Sequence, residues 1–200
     1  MDLIISFLFV SIIGTLFHFT YDYFNHNKVV SIFSAVNEST WEHLKLVFYP
    51  MLIMTGIGYF YLGKDVKNYL CAKTLCIIYA ISFIVIFFYT YTGIIGKNFA
   101  FLDIGSFFVA VFIGEYIAFK NMLSFDDECN KSISIITLII LLLCFVLFSV
   151  ESAAFSTFPS FSARICAMTE FFMLVCGVGY AARRRDEYFF ISSSETFPMA

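Results

Sequence analysis

The sequence predicts an all-α protein, a polytopic transmembrane helical bundle of about six helices, and three observations predict this fold class. Hydrophobic residues make up 60% of the 200 residues and charged residues only 14%, which leaves too little polar surface for a soluble domain. The apolar runs reach the roughly 20 residues that a helix needs to cross a bilayer core. They also lack the polar and apolar alternation of membrane β-barrel strands.

Six apolar runs define the predicted spans. In chain order these are Leu3–Tyr21, Leu44–Leu62, Tyr69–Ile94, Phe99–Phe119, Ile133–Val150 and Ile165–Ala182. They predict a single transmembrane domain over residues 1–182, followed by a cytoplasmic tail over 183–200. The first run lacks the basic region and small-residue cleavage site of a secretory signal, so we expect it to stay in the mature protein.

The connection between the first two spans is the longest that separates consecutive spans. Its middle, Val29–Val36, is apolar but too short to cross the membrane, which predicts a re-entrant or interfacial segment. The second helix is then expected to begin at a capping box, in which Ser39 and Glu42 each satisfy a free backbone amide of the other. Trp41 is expected to anchor this end at the lipid–water interface.

Two further features of the second helix follow from its sequence. Lys45 stands three residues after Glu42, a spacing that allows an ion pair along one helix face. Pro50 cannot donate the backbone hydrogen bond that the carbonyl of Leu46 would otherwise accept. We therefore expect a free carbonyl just below the polar start of this helix.

Lysine and arginine residues near the span ends predict the orientation. One side of the membrane receives Lys64, Lys67, Lys73, Lys120, Lys131 and Arg183–Arg185, and the other receives Lys28, Lys45, Lys97 and Arg164. The richer side should be cytoplasmic. The prediction is a multi-pass cell-membrane protein with both termini in the cytoplasm and the start of the second helix facing outward.

Composition also limits the partners. The six cysteines contain no C-x-x-C pair and are expected to be small apolar side chains rather than a disulfide framework or a zinc knuckle. A formal net charge of -3 provides no basic surface for nucleic acid. The expected partners are the lipid bilayer and a lipid-like or small-molecule substrate.

Ionisable side chains gather at the predicted outer end. His18 and Asp22 are four residues apart and share a helix face, a spacing that suits two ligands of one metal or a carboxylate that orients an imidazole. Glu38, Glu42 and His43 surround the start of the second helix. Because sequential helices are usually neighbours, the two groups are expected to converge.

The fourth predicted span carries two more carboxylates. Asp103 and Glu115 are twelve residues apart, or about 18 Å along a helix, and so lie in opposite membrane halves. Asp103 falls on the outer side, with His18 and His43. Ionisable residues at this depth usually face a cavity, a partner or a substrate path.

The residues around the second helix also carry a resemblance. The motif Val-Asn-Glu-Ser-x-Trp-Glu-His-x-Lys occupies Val36–Lys45, and His-Phe-x-Tyr followed by an acid occupies His18–Asp22. This pair of motifs resembles an uncharacterised family of small multi-pass bacterial membrane proteins. The chain departs from that family before the last span, where Phe158-Pro159-Ser160 stands in place of an Asp-Pro and a Tyr-Gly pair. The resemblance implies a membrane protein and no particular reaction.

Three functional hypotheses follow from the polar residues. In the first, an outward-facing site binds a divalent metal such as zinc, with ligands drawn from His18, Asp22, His43 and Asp103. Glu38 or Glu42 would serve as the catalytic base in the hydrolysis of a lipid-like amide or ester.

The other two hypotheses involve no metal. A proton- or cation-coupled transporter would relay charge through Asp103, Glu115, Glu170 and His18. A structural network would use the same polar groups to fasten the first two helices and their connection, with no catalytic role. Convergence of His18, Asp22 and His43 on one point would favour the first hypothesis, and local pairing of each residue would favour the last.

Overall fold

Five helices are present in the part of the chain that the computed structural model describes, which is residues 2–36, 40–63, 66, 68–123 and 131–154. They are α1 (Asp2–Tyr23), α2 (Thr40–Gly58), α3 (Tyr69–Ile95), α4 (Ala100–Leu123) and α5 (Lys131–Ala154), with a 3-10 turn at Val30–Ile32 and a π-helical turn at Tyr59–Gly63. Each of the first five predicted spans falls on one of these helices. The sixth, Ile165–Ala182, and the tail lie outside the described residues.

Four of the helices are long and apolar enough to cross a membrane, over Leu3–Tyr23, Thr40–Tyr61, Tyr69–Ile95 and Ala100–Leu123. The apolar part of α5 that the structure describes is shorter, Lys131–Leu147. This composition and length agree with the predicted all-α membrane class.

Left-handed residues end two of the helices. Asn25 and His26 have φ values of 49° and 60° after the last turn of α1, and the His26 amide donates to the Tyr21 carbonyl at 3.1 Å. Gly96 has φ of 82° after α3, and its amide donates to the Thr92 carbonyl at 2.8 Å. Both arrangements satisfy carbonyls that a helix end leaves free.

Helices α1 to α4 pack around one core with neighbouring helices antiparallel. Its central side chains are fully buried, among them Val10 on α1, Phe48 on α2, Ile77 on α3 and Val111 on α4. The end of α1, the start of α2 and the connection between them form what we call the histidine end of the bundle. The start of α1, the start of α3 and the end of α4 form the opposite end.

Aromatic stacking attaches α5 to this core. The Phe145 ring stacks on Trp41 with ring centroids 4.7 Å apart and on Phe48 with centroids 4.4 Å apart. Trp41 is only 7% exposed. The predicted interfacial anchor is therefore a core residue, because α5 covers the face of α2 that carries it.

The cysteines differ from the expectation at one position. Cys71, in the first turn of α3, is disulfide-bonded, and its sulfur lies 3.0 Å from the Ser134 hydroxyl of α5. Cys76 and Cys144 are free thiols. The prediction that the cysteines serve only as apolar side chains is wrong for Cys71, since neither a motif nor its spacing in the sequence marked it for pairing.

The carbonyl that Pro50 leaves free lies against α1. Pro50 is inside α2 and has no amide hydrogen to donate to Leu46. A Cβ atom added to Gly14 would lie 2.5 Å from the Leu46 carbonyl oxygen and 2.7 Å from Cζ of Phe107. Only glycine allows the backbones of α1 and α2 to approach this closely, so the expected free carbonyl lies at a close contact between the two helices.

We expect Gly14→Ala to destabilise the bundle by about 1–3 kcal/mol, because the added methyl group meets backbone on one side and a ring on the other. The measurement is the thermal unfolding midpoint of detergent-purified protein, followed by fluorescence of Trp41, the single tryptophan. Gly105→Ala in α4 is the matched control, because no atom lies within 4 Å of a Cβ there. Equal losses in the two variants would contradict the contact.

Candidate functional site

The connection between α1 and α2 is fastened to the last turn of α1 by Ser34. This side chain is fully buried. Its hydroxyl donates to the Phe17 carbonyl and accepts from the Tyr21 amide at 3.1 Å. These are the two backbone groups that pair with each other in a regular helix. The Ser34 hydroxyl thus bridges the turn that carries His18.

A buried ion pair fastens the same connection to α2. Glu42 and Lys45 are both 0% exposed, and the Lys45 ammonium lies 2.5 Å from Oε2 of Glu42, which confirms the predicted pairing. The same carboxylate oxygen accepts from the Val36 amide at 2.9 Å, and the ammonium donates to the Ser31 carbonyl at 2.8 Å. Each charge therefore also forms a hydrogen bond with a backbone group of the connection. These bonds stabilise the folded connection, because water does not reach the buried pair to satisfy those groups.

The two fastened segments bring His18 and His43 together. Their ring centroids are 5.5 Å apart and the ring planes are inclined by 39°. Both side chains are partly buried. Of the two polar groups that were expected to converge, these two side chains meet, across the contact between α1 and α2.

Several buried polar atoms on these two helices have no hydrogen-bond partner within the described part of the chain. They include the hydroxyl of Ser11, Nδ1 of His18 and the hydroxyl of Tyr49. A buried polar group without a partner costs about 1–3 kcal/mol, so such atoms usually meet water, an ion or a ligand. Of these atoms, Nδ1 of His18 belongs to the ring that lies beside the His43 ring, at the contact between α1 and α2.

The carboxylates predicted as ligands have other partners. Asp22 is exposed and lies 3.6 Å from Nε2 of the exposed His26. Asp103 accepts from the Tyr91 hydroxyl, which in turn accepts from the Phe99 amide at 3.3 Å. The Asp103 pair therefore joins the end of α3 to the start of α4. Glu38, the other predicted catalytic carboxylate, lies outside the described residues.

No group of three or more His, Cys, Asp or Glu side chains within metal-binding reach is found among residues 2–36, 40–63, 66, 68–123 and 131–154. His18 and His43 form a pair, while Glu42 is committed to Lys45. Metal binding at this end thus stays a prediction, now centred on two imidazoles.

Sequence reasoning missed two polar features. His26 was given no role, although it follows Asp22 by four residues and pairs with it. Lys73 stands among the charges near a span end in the sequence, but its side chain is buried, and its Nζ lies 2.5 Å from Oε2 of Glu115. The available signal was the position of Lys73 four residues inside the predicted third span, since a lysine at membrane depth is expected to have a partner.

Comparison with protein families gives a match over residues 2–167 to the model described as a family of unknown function (DUF6512). No curated protein matches the chain, and no solved structure matches it. The family match agrees with the expected membership of an uncharacterised family.

Removing either member of the Glu42–Lys45 pair leaves the other as a buried, uncompensated charge. We expect Glu42→Gln and Lys45→Met each to cost about 3–5 kcal/mol of stability. The double variant should lose less than the sum of the two single losses, because it removes both charges. The measurements are thermal unfolding and hydrogen exchange of the amides of residues 28–36. Strictly additive losses, or unchanged exchange in this segment, would contradict the pairing.

Proposed function

The chain belongs to the family of unknown function DUF6512, and from the geometry of its histidine end we propose that it is an integral membrane protein that binds a divalent cation between His18 and His43. The observation that carries the proposal is the approach of the two imidazoles together with the buried Nδ1 of His18, which has no hydrogen-bond partner among the described residues. Imidazole nitrogen suits zinc best among the common biological cations.

The ring spacing supports a shared ion. A zinc–nitrogen bond is about 2.1 Å long and the ring centre lies about 1.1 Å further, so two imidazoles on a tetrahedral ion have centroids about 5.2 Å apart. The 5.5 Å between the His18 and His43 centroids is close to this value.

Two imidazoles occupy two of the four positions of a tetrahedral site. We propose the Glu38 carboxylate as the third ligand, because Glu38 stands five residues before His43 in the sequence. Asp22 is the second carboxylate candidate, since it is exposed and follows His18 by four residues. Asp103 is not among the proposed ligands, because its carboxylate accepts a hydrogen bond from the Tyr91 hydroxyl. The fourth position then remains open, as in catalytic zinc sites.

An open position supports hydrolytic chemistry. A divalent ion bound there supplies a water polarised for attack on an ester or amide. In this proposal the unassigned member of the Glu38 and Asp22 pair takes the proton from that water, and Glu42 positions the connection through Lys45 rather than acting as the base. A site at the end of a membrane bundle favours a lipid-like substrate whose polar group lies near the surface.

A structural network is the second candidate function for these residues. The observation that favours it is that Glu42, Lys45 and Ser34 all bind backbone groups of the connection or of α1. In this alternative the two histidines pack against each other and bind no ion.

The test is elemental analysis of detergent-purified protein by mass spectrometry. We expect about one zinc per chain in the wild type, and a loss of most of it in both His18→Ala and His43→Ala, because two ligands on different helices share one ion. His26→Ala is the matched control, since His26 is exposed and pairs with Asp22. It should retain the metal.

Metal-free wild-type protein that also fails to bind added zinc would overturn the cation site and leave the structural network. Metal retained in both His18→Ala and His43→Ala would place the ion elsewhere. If the metal is confirmed, Glu38→Gln and Asp22→Asn are each measured for metal content and for hydrolysis of ester- and amide-linked lipids. The variant that keeps the metal but loses hydrolysis identifies the base.

The proposed orientation places the histidine end outside the cell. Lys45 and Lys73 are buried in ion pairs and do not act as surface charges. Without them, the opposite side still has more lysine and arginine, namely Lys64, Lys67, Lys120, Lys131 and Arg183–Arg185 against Lys28, Lys97 and Arg164. The disulfide of Cys71 lies at the opposite end, and a disulfide is typical of an oxidising compartment. It therefore favours the inverted orientation, and cysteine labelling distinguishes the two.

We expect Lys28→Cys to react with a membrane-impermeant maleimide in intact cells, because Lys28 is exposed at the histidine end. Lys120→Cys, exposed at the end of α4, should react only after the cells are opened. Labelling in the reverse order would show the inverted orientation and would place the proposed site in the cytoplasm.

A further inference from the structure

One side of α2 is covered near the histidine end by the connection that follows α1. The Lys45 ammonium donates to the Ser31 carbonyl at 2.8 Å, and the Tyr49 ring meets the Phe33 ring with centroids 4.9 Å apart. Lys45 and Tyr49 are 0% and 2% exposed. The connection therefore buries this side of the first half of α2.

The same side of α2 is open in its second half. At 3.6 residues per turn, the residues four, seven and eight positions after Tyr49 stay on its side of the helix. These residues are Ile53, Gly56 and Ile57, and all three are exposed within the described part of the chain. No atom of the described residues lies within 4 Å of a Cβ atom built on Gly56. We call these three residues the open face of α2.

Helices α1 and α5 border the open face on its two sides. On one side, a Cβ atom on Gly14 of α1 would lie 2.5 Å from the Leu46 carbonyl oxygen. On the other side, Phe145 of α5 stacks on Phe48. Leu46 and Phe48 are separated by about 200° around the helix axis, and Tyr49 lies between these two directions on the side away from the core. The open face is therefore the floor of a groove between α1 and α5.

The described part of α5 ends beside this groove. Its last residue, Ala154, lies at the histidine end, and the Ser149 hydroxyl lies 3.4 Å from the Ile32 carbonyl of the connection. The next apolar run of spanning length in the sequence is Ile165–Ala182, ten residues after Ala154. Ten extended residues reach up to about 33 Å. The run can therefore begin at the histidine end and pass along the groove toward the opposite end.

The second half of that run matches the open face in depth. In a helix that begins at Ile165, Gly177 and Gly179 would lie about 18–21 Å from the histidine end. Ile53 and Gly56 lie about 20–24 Å from the start of α2 at the same end. Small residues on both helices allow their backbones to approach closely in a membrane.

We propose that Ile165–Ala182 is the sixth helix of the bundle and that its Gly177–Gly179 half packs on the open face of α2. The segment is attached to α5 by a short linker. This attachment gives it a high effective concentration at the groove, which a second copy of the chain or a lipid molecule does not have. The packing does not depend on a metal at the histidine end.

The experiment is photo-crosslinking of the full chain in lipid, with a benzophenone side chain in place of Ile57. We expect an intramolecular cross-link to a peptide from residues 165–182, identified by mass spectrometry. The same side chain in place of Tyr116 is the matched control. Tyr116 is 52% exposed and lies at a similar depth on α4, which does not border the groove, so it should give no cross-link to this peptide.

Two results of this experiment would overturn the proposal. A cross-link from position 57 to a second copy of the chain would show that the open face joins two protomers. A cross-link to lipid alone would show that the bilayer covers it.

Gly56→Leu provides a second measurement that needs no photoreactive group. We expect its thermal unfolding midpoint to fall by several degrees relative to the wild type, because the larger side chain separates the two packed helices. Gly105→Leu is the control, since a Cβ atom at Gly105 also meets no atom of the described residues within 4 Å. Equal midpoints for the two variants would contradict a helix packed on the open face.

Discussion

The ion pair of Glu42 and Lys45 is the interaction on which the histidine end depends. Both side chains are fully buried, and buried backbone groups must find their hydrogen-bond partners within the chain. Glu42 receives the Val36 amide and Lys45 binds the Ser31 carbonyl. The charges of Glu42 and Lys45 thus bind backbone groups of the segment that precedes α2. The same pair holds the first turn of α2, and with it His43, in a defined position.

Close approach of the backbones decides which side chains face each other. Gly14 meets the Leu46 carbonyl that Pro50 leaves without a donor. His18 follows Gly14 by four residues, and His43 precedes Leu46 by three, so both histidines stand one turn above this contact on the same helix faces. A proline in α2 and a glycine in α1 therefore set the register in which the two imidazoles meet at 5.5 Å.

The two buried ion pairs have different physical roles. The Glu42–Lys45 pair is local in sequence and forms hydrogen bonds with backbone groups, which is a structural role. The other, Lys73–Glu115, spans 42 residues between α3 and α4 and satisfies only side chains. Burying charge away from water is costly, and in this pair each charge offsets that cost for the other.

The sequence by itself determined the all-α class, the positions of five helices to within a few residues, four of them long and apolar enough to cross a membrane, and the start of α2 in a polar segment. These follow from hydropathy, run length and helix periodicity, which are local properties. Only the tertiary structure decided which partner each polar group takes. Asp103 pairs with Tyr91 and Lys73 with Glu115, while Trp41 is covered by α5. Those choices depend on the rotation and proximity of whole helices, which no short stretch of sequence encodes.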